Sequence, residues 1–202
     1  MDKEASGFNT KQTVAIVGLG LIGGSYARGL RRLGVDHIIA VDPDEKALQQ
    51  AKQEGMVDDI YTAGTEALKQ ADLVIFCTAA DVMIRFLAEN KAFFTPGTIL
   101  TDVAGIKGDT ATAIAALLPE GVDFVPGHPM AGREGRGYGM ASADIFNGAN
   151  YILVPMEGND EDHILAVKNM ATGEQLSLTP EAAAAHINAA LEGRRRGRVI
   201  VG

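Results

Sequence analysis

At 202 residues the chain can hold one good-sized domain and an appendage, and its net charge of −8 excludes a nucleic-acid-binding footprint. A single cysteine, Cys77, excludes an intrachain disulfide. No apolar run is long enough to cross a bilayer, and the polar start from Met1 to Gln12 lacks the apolar core of a secretory signal, so a cytoplasmic location with no membrane partner is expected.

Residues 1–11 read as a loose polar arm. Val14-Ala15-Ile16-Val17 then runs straight into Gly18, Gly20 and Gly23, which predicts a buried strand over 13–17, a tight turn, and a helix over 21–33. A second apolar run, 37–41, ends at Asp42. A helix from Asp44 to about Glu54 stops at Gly55, and Asp59-Ile60-Tyr61 reads as a short third strand. A short helix over 65–70 and an apolar strand over 72–78 follow. The next helix, 81–91, is expected to bury Val82, Phe86 and Leu87. Pro96-Gly97 turns the chain into a strand over 98–103; a helix over 109–118 and a strand over 122–125 complete the alternation. The glycine-rich stretch 127–137 looks too irregular for an element. A helix near 138–145, a strand near 150–154 and a helix over 160–170 come next, and 172–202 is left as a tail with one helix, 180–191, and one short strand, 198–201.

Strands alternating with helices at this spacing predict a Rossmann-like, doubly wound α/β fold with a mainly parallel sheet over 12–171. Ligands in such sheets bind beyond the carboxyl ends of the strands. The loops at 18–24, 42–44, 78–81, 103–107 and 126–137 are therefore the places for chemistry.

Gly18 suits a turn that a side chain would oppose, Gly20 leaves room for a pyrophosphate to touch backbone, and Gly23 allows helix and strand to pack closely. The N–H groups at Leu21 and Ile22 open the helix and face the phosphates with the positive end of its dipole. Asp42 stands about where a carboxylate meets a ribose diol in this fingerprint, roughly 20 residues on, and would repel a 2′-phosphate, so NAD is expected over NADP. Its alternative role is that of a strand-end acid or helix cap. Thr78, closing the fourth strand, borders the same edge. His128 follows a strand end between Gly127 and Pro129, and Pro129 stiffens the loop. An imidazole there can accept a proton near neutral pH, as alcohol oxidation requires. A loop histidine bonded to backbone is the plainer alternative. His37, His163 and His186 have no spacing that suggests a metal.

Gly18-Leu19-Gly20-Leu21-Ile22-Gly23-Gly24-Ser25, Thr101-Asp102-Val103-Ala104-Gly105-Ile106-Lys107, Gly127-His128-Pro129-Met130-Ala131-Gly132-Arg133-Glu134 and Phe146-Asn147-Gly148-Ala149-Asn150-Tyr151-Ile152-Leu153-Val154-Pro155 together resemble the prephenate and arogenate dehydrogenase family, over about residues 13–170. The resemblance implies an NAD-dependent oxidoreductase of tyrosine biosynthesis that converts prephenate to 4-hydroxyphenylpyruvate with loss of carbon dioxide. It implies that His128 is the catalytic residue engaging the 4-hydroxyl, and that Glu134 is an acid at the mouth of the site. Many relatives carry a serine, which helps hold the substrate oxygen, where this chain has Gly105. The family also has a further helical domain that makes the dimer and binds the substrate carboxylates; residues 172–202 do not look like its start. The cations on the right loops are Lys107, Arg133 and Arg136, with Arg194, Arg195 and Arg196 in the tail. Two other functions stay open: a dinucleotide-binding module without complete catalysis, and another small-hydroxyacid dehydrogenase.

Overall fold

The computed structural model describes residues 9–105 and 108–172. The expected arm at 1–8, Lys107, and the helix and strand expected at 180–191 and 198–201 lie outside the described residues.

Six strands form one parallel sheet: β1 (Thr13–Val17), β2 (His37–Val41), β3 (Asp59–Tyr61), β4 (Leu73–Phe76), β5 (Ile99–Asp102) and β6 (Asp123–Val125), in the spatial order β3-β2-β1-β4-β5-β6. β1 and β4 pair in register from Val14 against Leu73 to Val17 against Phe76. The chain order reverses there, which opens a crevice at the carboxyl ends of these two strands.

Helices cover both faces, so the strands are buried on both sides and read as continuous apolar runs. On one face, Val14, Ile16, Ile38, Ala40 and Ile75 pack with Tyr26 and Leu30 of α1 (Leu21–Leu33) and with Leu48 and Ala51 of α2 (Glu45–Gln53). Val167 and Met170 of α5 (Glu161–Thr172) join that cluster. On the other face, Ala15, Val17, Ile39, Val74, Phe76 and Leu100 pack with Met83 and Leu87 of α3 (Ala80–Asn90) and with Ile114 of α4 (Gly108–Ala115). α3 thus buries Met83 rather than the expected Val82, which is only half-buried; Phe86 is half-buried and meets the Phe76 ring edge-on at 5.9 Å.

Two expectations are corrected beyond β6. The stretch from Gly127 is not wholly irregular: β7 (Gly127–Pro129) pairs antiparallel with β8 (Tyr151–Leu153), setting His128 opposite Ile152. Glycine and proline are poor strand formers, so this pairing comes from the distant partner and not from local preference. The helix expected near 138–145 is two short 3-10 turns, Tyr138–Met140 and Ala143–Phe146. They are separated by extended Ala141 and Ser142, and the Ser142 hydroxyl accepts from the Asp144 N–H at 3.3 Å to start the second.

This segment straps α1. A Cβ on Gly24 would lie 2.7 Å from the Tyr138 ring and 2.8 Å from the Ala141 Cβ, so only glycine admits so close a crossing. Ser25 donates to the Leu21 carbonyl at 2.7 Å and accepts from the Ser142 N–H at 3.0 Å. Tyr138 donates to Glu54 at 2.8 Å, with the Arg28 guanidinium 5.0 Å from its ring centre.

Candidate active site

The turn between β1 and α1 is shaped by what its glycines touch. Gly18 adopts φ +95° and donates its N–H to the Val41 carbonyl at 2.8 Å. A Cβ there would sit 2.8 Å from both the Cys77 carbonyl and the Thr78 Cγ2, which places Thr78 against the loop. A Cβ on Gly23 would collide with the Gly18 carbonyl oxygen. Gly20 is the opposite case: nothing lies within 4 Å of where its Cβ would be. Gly20 is the N-cap of α1 and brings no side chain to the orphan N–H groups of the first turn, which include those of Leu21 and Ile22. Open backbone at a helix N-terminus, backed by two glycines that cannot be enlarged, is a cradle for a phosphate group.

Asp42 borders this cradle. One carboxylate oxygen accepts from the Leu19 N–H at 2.5 Å and the other from the Asp44 N–H at 2.8 Å. The cap of α2 is Asp44, which accepts from the N–H groups of Lys46 and Ala47, and not Asp42. Asp42 therefore pins the glycine loop to the end of β2, and each oxygen keeps a further lone pair for a ligand hydroxyl.

His128 is half-buried on β7. Its Nδ1 lies 2.7 Å from the Val103 carbonyl oxygen. A carbonyl can only accept, so Nδ1 carries the proton, and in the neutral ring Nε2 is a bare acceptor. A backbone bond at Nδ1 is compatible with an acceptor role at Nε2. The Gly105 position lies beside that nitrogen: a Cβ there would be 3.7 Å from Nε2 and 3.6 Å from Cε1, ordinary contact distances. A small hydroxyl fits the gap.

One member of the site was missed from the sequence. Asp102, at the end of β5, is 1% exposed. Its oxygens accept from the Ala104 N–H and the Gly127 N–H, each at 3.1 Å. The available signal was an acid closing a strand that the sequence marks as buried, because a buried carboxylate needs donors. Around it, burial pushes the Cys77 thiol and the Tyr26 and Tyr151 phenols well above their usual ranges, and the negative charge of Asp102 adds to each. A thiol raised in this way favours its protonated form near neutral pH.

The expected anion-binding side chains are less assembled. Arg133 is exposed and its guanidinium donates to the Met140 carbonyl, folding the loop back on itself. Glu134 and Arg136 are exposed and make no hydrogen bond or ion pair among the described residues. The same residues hold no cluster of three or more metal-ligating side chains, and no helix among them is long and apolar enough to cross a membrane.

The family model described as prephenate dehydrogenase, nucleotide-binding domain, matches residues 26–178. The chain belongs to that family. The glycine loop lies ahead of the matched span. Prephenate dehydrogenase of Bacillus subtilis is 31% identical over 181 residues, covering 85% of this chain and 47% of the relative. The chain spans about half the length of that curated relative. Synechocystis arogenate dehydrogenase superposes with a TM-score of 0.74 at 29% identity, over 88% of this chain and 62% of that one. Prephenate dehydrogenase from A. aeolicus, solved with hydroxyphenyl propionate and NAD+, gives the same TM-score at 24% identity, over 90% of this chain and 68% of that one, and shows the shared fold. Gly105 leaves open space against the imidazole.

Proposed function

We propose that this chain carries the nucleotide-binding half and the proton acceptor of an NAD-dependent dehydrogenase that oxidatively decarboxylates prephenate to 4-hydroxyphenylpyruvate. The observation that supports this most is His128, whose Nδ1 is held by the Val103 carbonyl, leaving Nε2 beside Gly105 as the ring's remaining nitrogen.

NAD, when bound, supplies the hydride acceptor. Gly18, Gly20 and Gly23 with the N–H groups of Leu21 and Ile22 hold the pyrophosphate, Asp42 holds the ribose diol, and Thr78 lines the crevice. His128 takes the 4-hydroxyl proton onto Nε2 as the hydride leaves the same carbon. The ring carboxylate departs as carbon dioxide, its bonding electrons pass through the ring to the C4 oxygen as the ring becomes aromatic, and that oxygen takes the proton back from His128 to give the phenol. General-base help of this kind contributes on the order of 10²–10⁴ in rate. Gly105 leaves space for a water where relatives place a serine hydroxyl.

The substrate dianion needs cations, because carboxylates removed from water without partners are costly. Lys107, Arg133 and Arg136 are the candidates, with Glu134 at the rim. The tie of Arg133 to Met140 favours a second reading, in which the 202 residues bind NAD but complete the reaction poorly without further carboxylate-binding groups. The test is NADH formation by the purified chain, with prephenate and arogenate compared at saturating NAD. Slow turnover of prephenate with normal NAD binding is expected. Absence of NAD binding overturns the proposal, and fast turnover refutes the incomplete-module reading.

A further inference from the structure

We propose that Asp102 is the positioning residue for His128: its carboxylate sets the peptide plane that selects the imidazole tautomer. The inference rests on His128 acting as the proton acceptor. Three bonds carry it. The Asp102 carboxylate accepts the Ala104 N–H at 3.1 Å and the Gly127 N–H at 3.1 Å, and the Val103 carbonyl accepts from His128 Nδ1 at 2.7 Å. The Ala104 N–H and the Val103 carbonyl are the two ends of one peptide group. A planar peptide cannot turn one end without the other. By holding the N–H, Asp102 aims the carbonyl at the imidazole. Its other oxygen holds Gly127, the residue directly before His128, so the strand bearing the ring and the loop orienting it hang from one side chain.

The surroundings fit this role. Val103 donates its own N–H to Phe76 at 3.2 Å, and the Thr101 hydroxyl donates to Val125 at 2.8 Å, so the base of the loop is fixed on both flanks. Asp102 is almost wholly removed from solvent. A carboxylate is the side chain of this size that offers acceptors at both ends to these two donors. An amide has one acceptor end, and whichever way it turns, its NH2 confronts an N–H. The peptide that holds the tautomer, or the strand that holds the ring, must then give way.

The tautomer can be read with no substrate present. In nitrogen-15 histidine spectra of the full chain, the wild type should show neutral His128 protonated at Nδ1. Asp102→Asn should move that population toward the Nε2-protonated form. NAD affinity should change by less than about twofold, and any prephenate turnover should drop roughly tenfold or more, in kcat rather than KM, as expected for a misoriented base behind a buried unsatisfied donor. An Asn variant that folds, binds NAD and keeps the Nδ1-protonated ring overturns the proposal. It does so whether or not the chain oxidises prephenate, so failure here is distinct from failure of the proposed reaction. If Asp102→Asn does not fold, hydrogen exchange in the wild type decides. The Ala104 and Gly127 amides should exchange as slowly as those of β5, and fast exchange at either overturns the proposal.

Discussion

Gly20 caps α1 and Gly23 lies in its first turn, yet alanine should do opposite things at the two positions. At Gly23 the new methyl would overlap the Gly18 carbonyl oxygen and press on Ile16 Cγ2 at 3.1 Å. The obstacle is backbone, so α1 must retreat from β1 by more than about 1 Å, and overpacking of this kind costs about 1–3 kcal/mol. Alanine recovers about 0.5–1 kcal/mol through helix propensity. The net expectation is about 1 kcal/mol of destabilisation, or a fall in Tm of about 2–4 °C for a chain of this size. At Gly20 nothing lies within 4 Å, so the penalty is only the exchange of a good N-cap for a poor one, about 1 kcal/mol. The methyl there fills the space assigned to the pyrophosphate. NAD affinity should fall at least about tenfold, near 1.4 kcal/mol. Thermal unfolding and NAD calorimetry on both variants separate the effects. Normal NAD affinity in Gly20→Ala would refute the placement of the pyrophosphate. An unchanged Tm in Gly23→Ala would refute the close packing.

Asp42→Ala should weaken NAD and narrow its margin over NADP, since the carboxylate both pins Leu19 and repels a 2′-phosphate; calorimetry with both nucleotides checks this, and wild-type NADP binding as tight as NAD would contradict it. Gly105→Ser should be tolerated, because its Cβ meets His128 at 3.6 Å or more, and any prephenate turnover should rise as the hydroxyl fills the gap beside Nε2; a fall in turnover with unchanged Tm would argue against that placement. For Asp58, partial burial opposes ionisation, but the Ile38 N–H at 2.8 Å and the Arg31 guanidinium at 2.6 Å outweigh it and hold the carboxyl below its usual range. A lowered folded pKa gives stability that is present above the unfolded value, about 3.9, and is lost as pH falls through the folded one. Asp58→Asn should therefore flatten the acid limb of Tm against pH below about pH 4, and an unaltered limb would show that other carboxylates carry it.

The first half of the chain was legible nearly to the residue. Strands such as 13–17 and 37–41 are buried on both faces, so their apolar runs mark their ends directly, and Gly34 at φ +88° and Gly55 at φ +70° stop the helices where glycine should. That His128 stands just beyond a strand end was also legible. What it does with its two nitrogens was not, because the Val103 carbonyl comes from a loop 25 residues away. The β7–β8 pairing was hidden for the same reason, a partner distant in sequence and residues with little strand preference. The 138–146 segment was misread as one helix because its apolar residues serve a different surface: Tyr138 seals against Gly24 and Phe146 meets Tyr26 at 4.7 Å. Asp102 stood in a recognised motif, but an acid's partners are tertiary facts. Arg133 and Arg136 are exposed, and the tie of Arg133 to Met140 was not legible because its partner is set by the fold of the loop.

Receipt of the substrate's proton by His128 carries the proposed reaction. Its most direct test is a single-turnover measurement, with the chain in excess over prephenate, NAD saturating, and His128→Ala run beside the wild type. The account predicts NADH formation in the wild type, a rate lower by roughly 10² or more in the variant, and equal NAD affinity in both. Equal rates in the two proteins would contradict it and send the proton elsewhere.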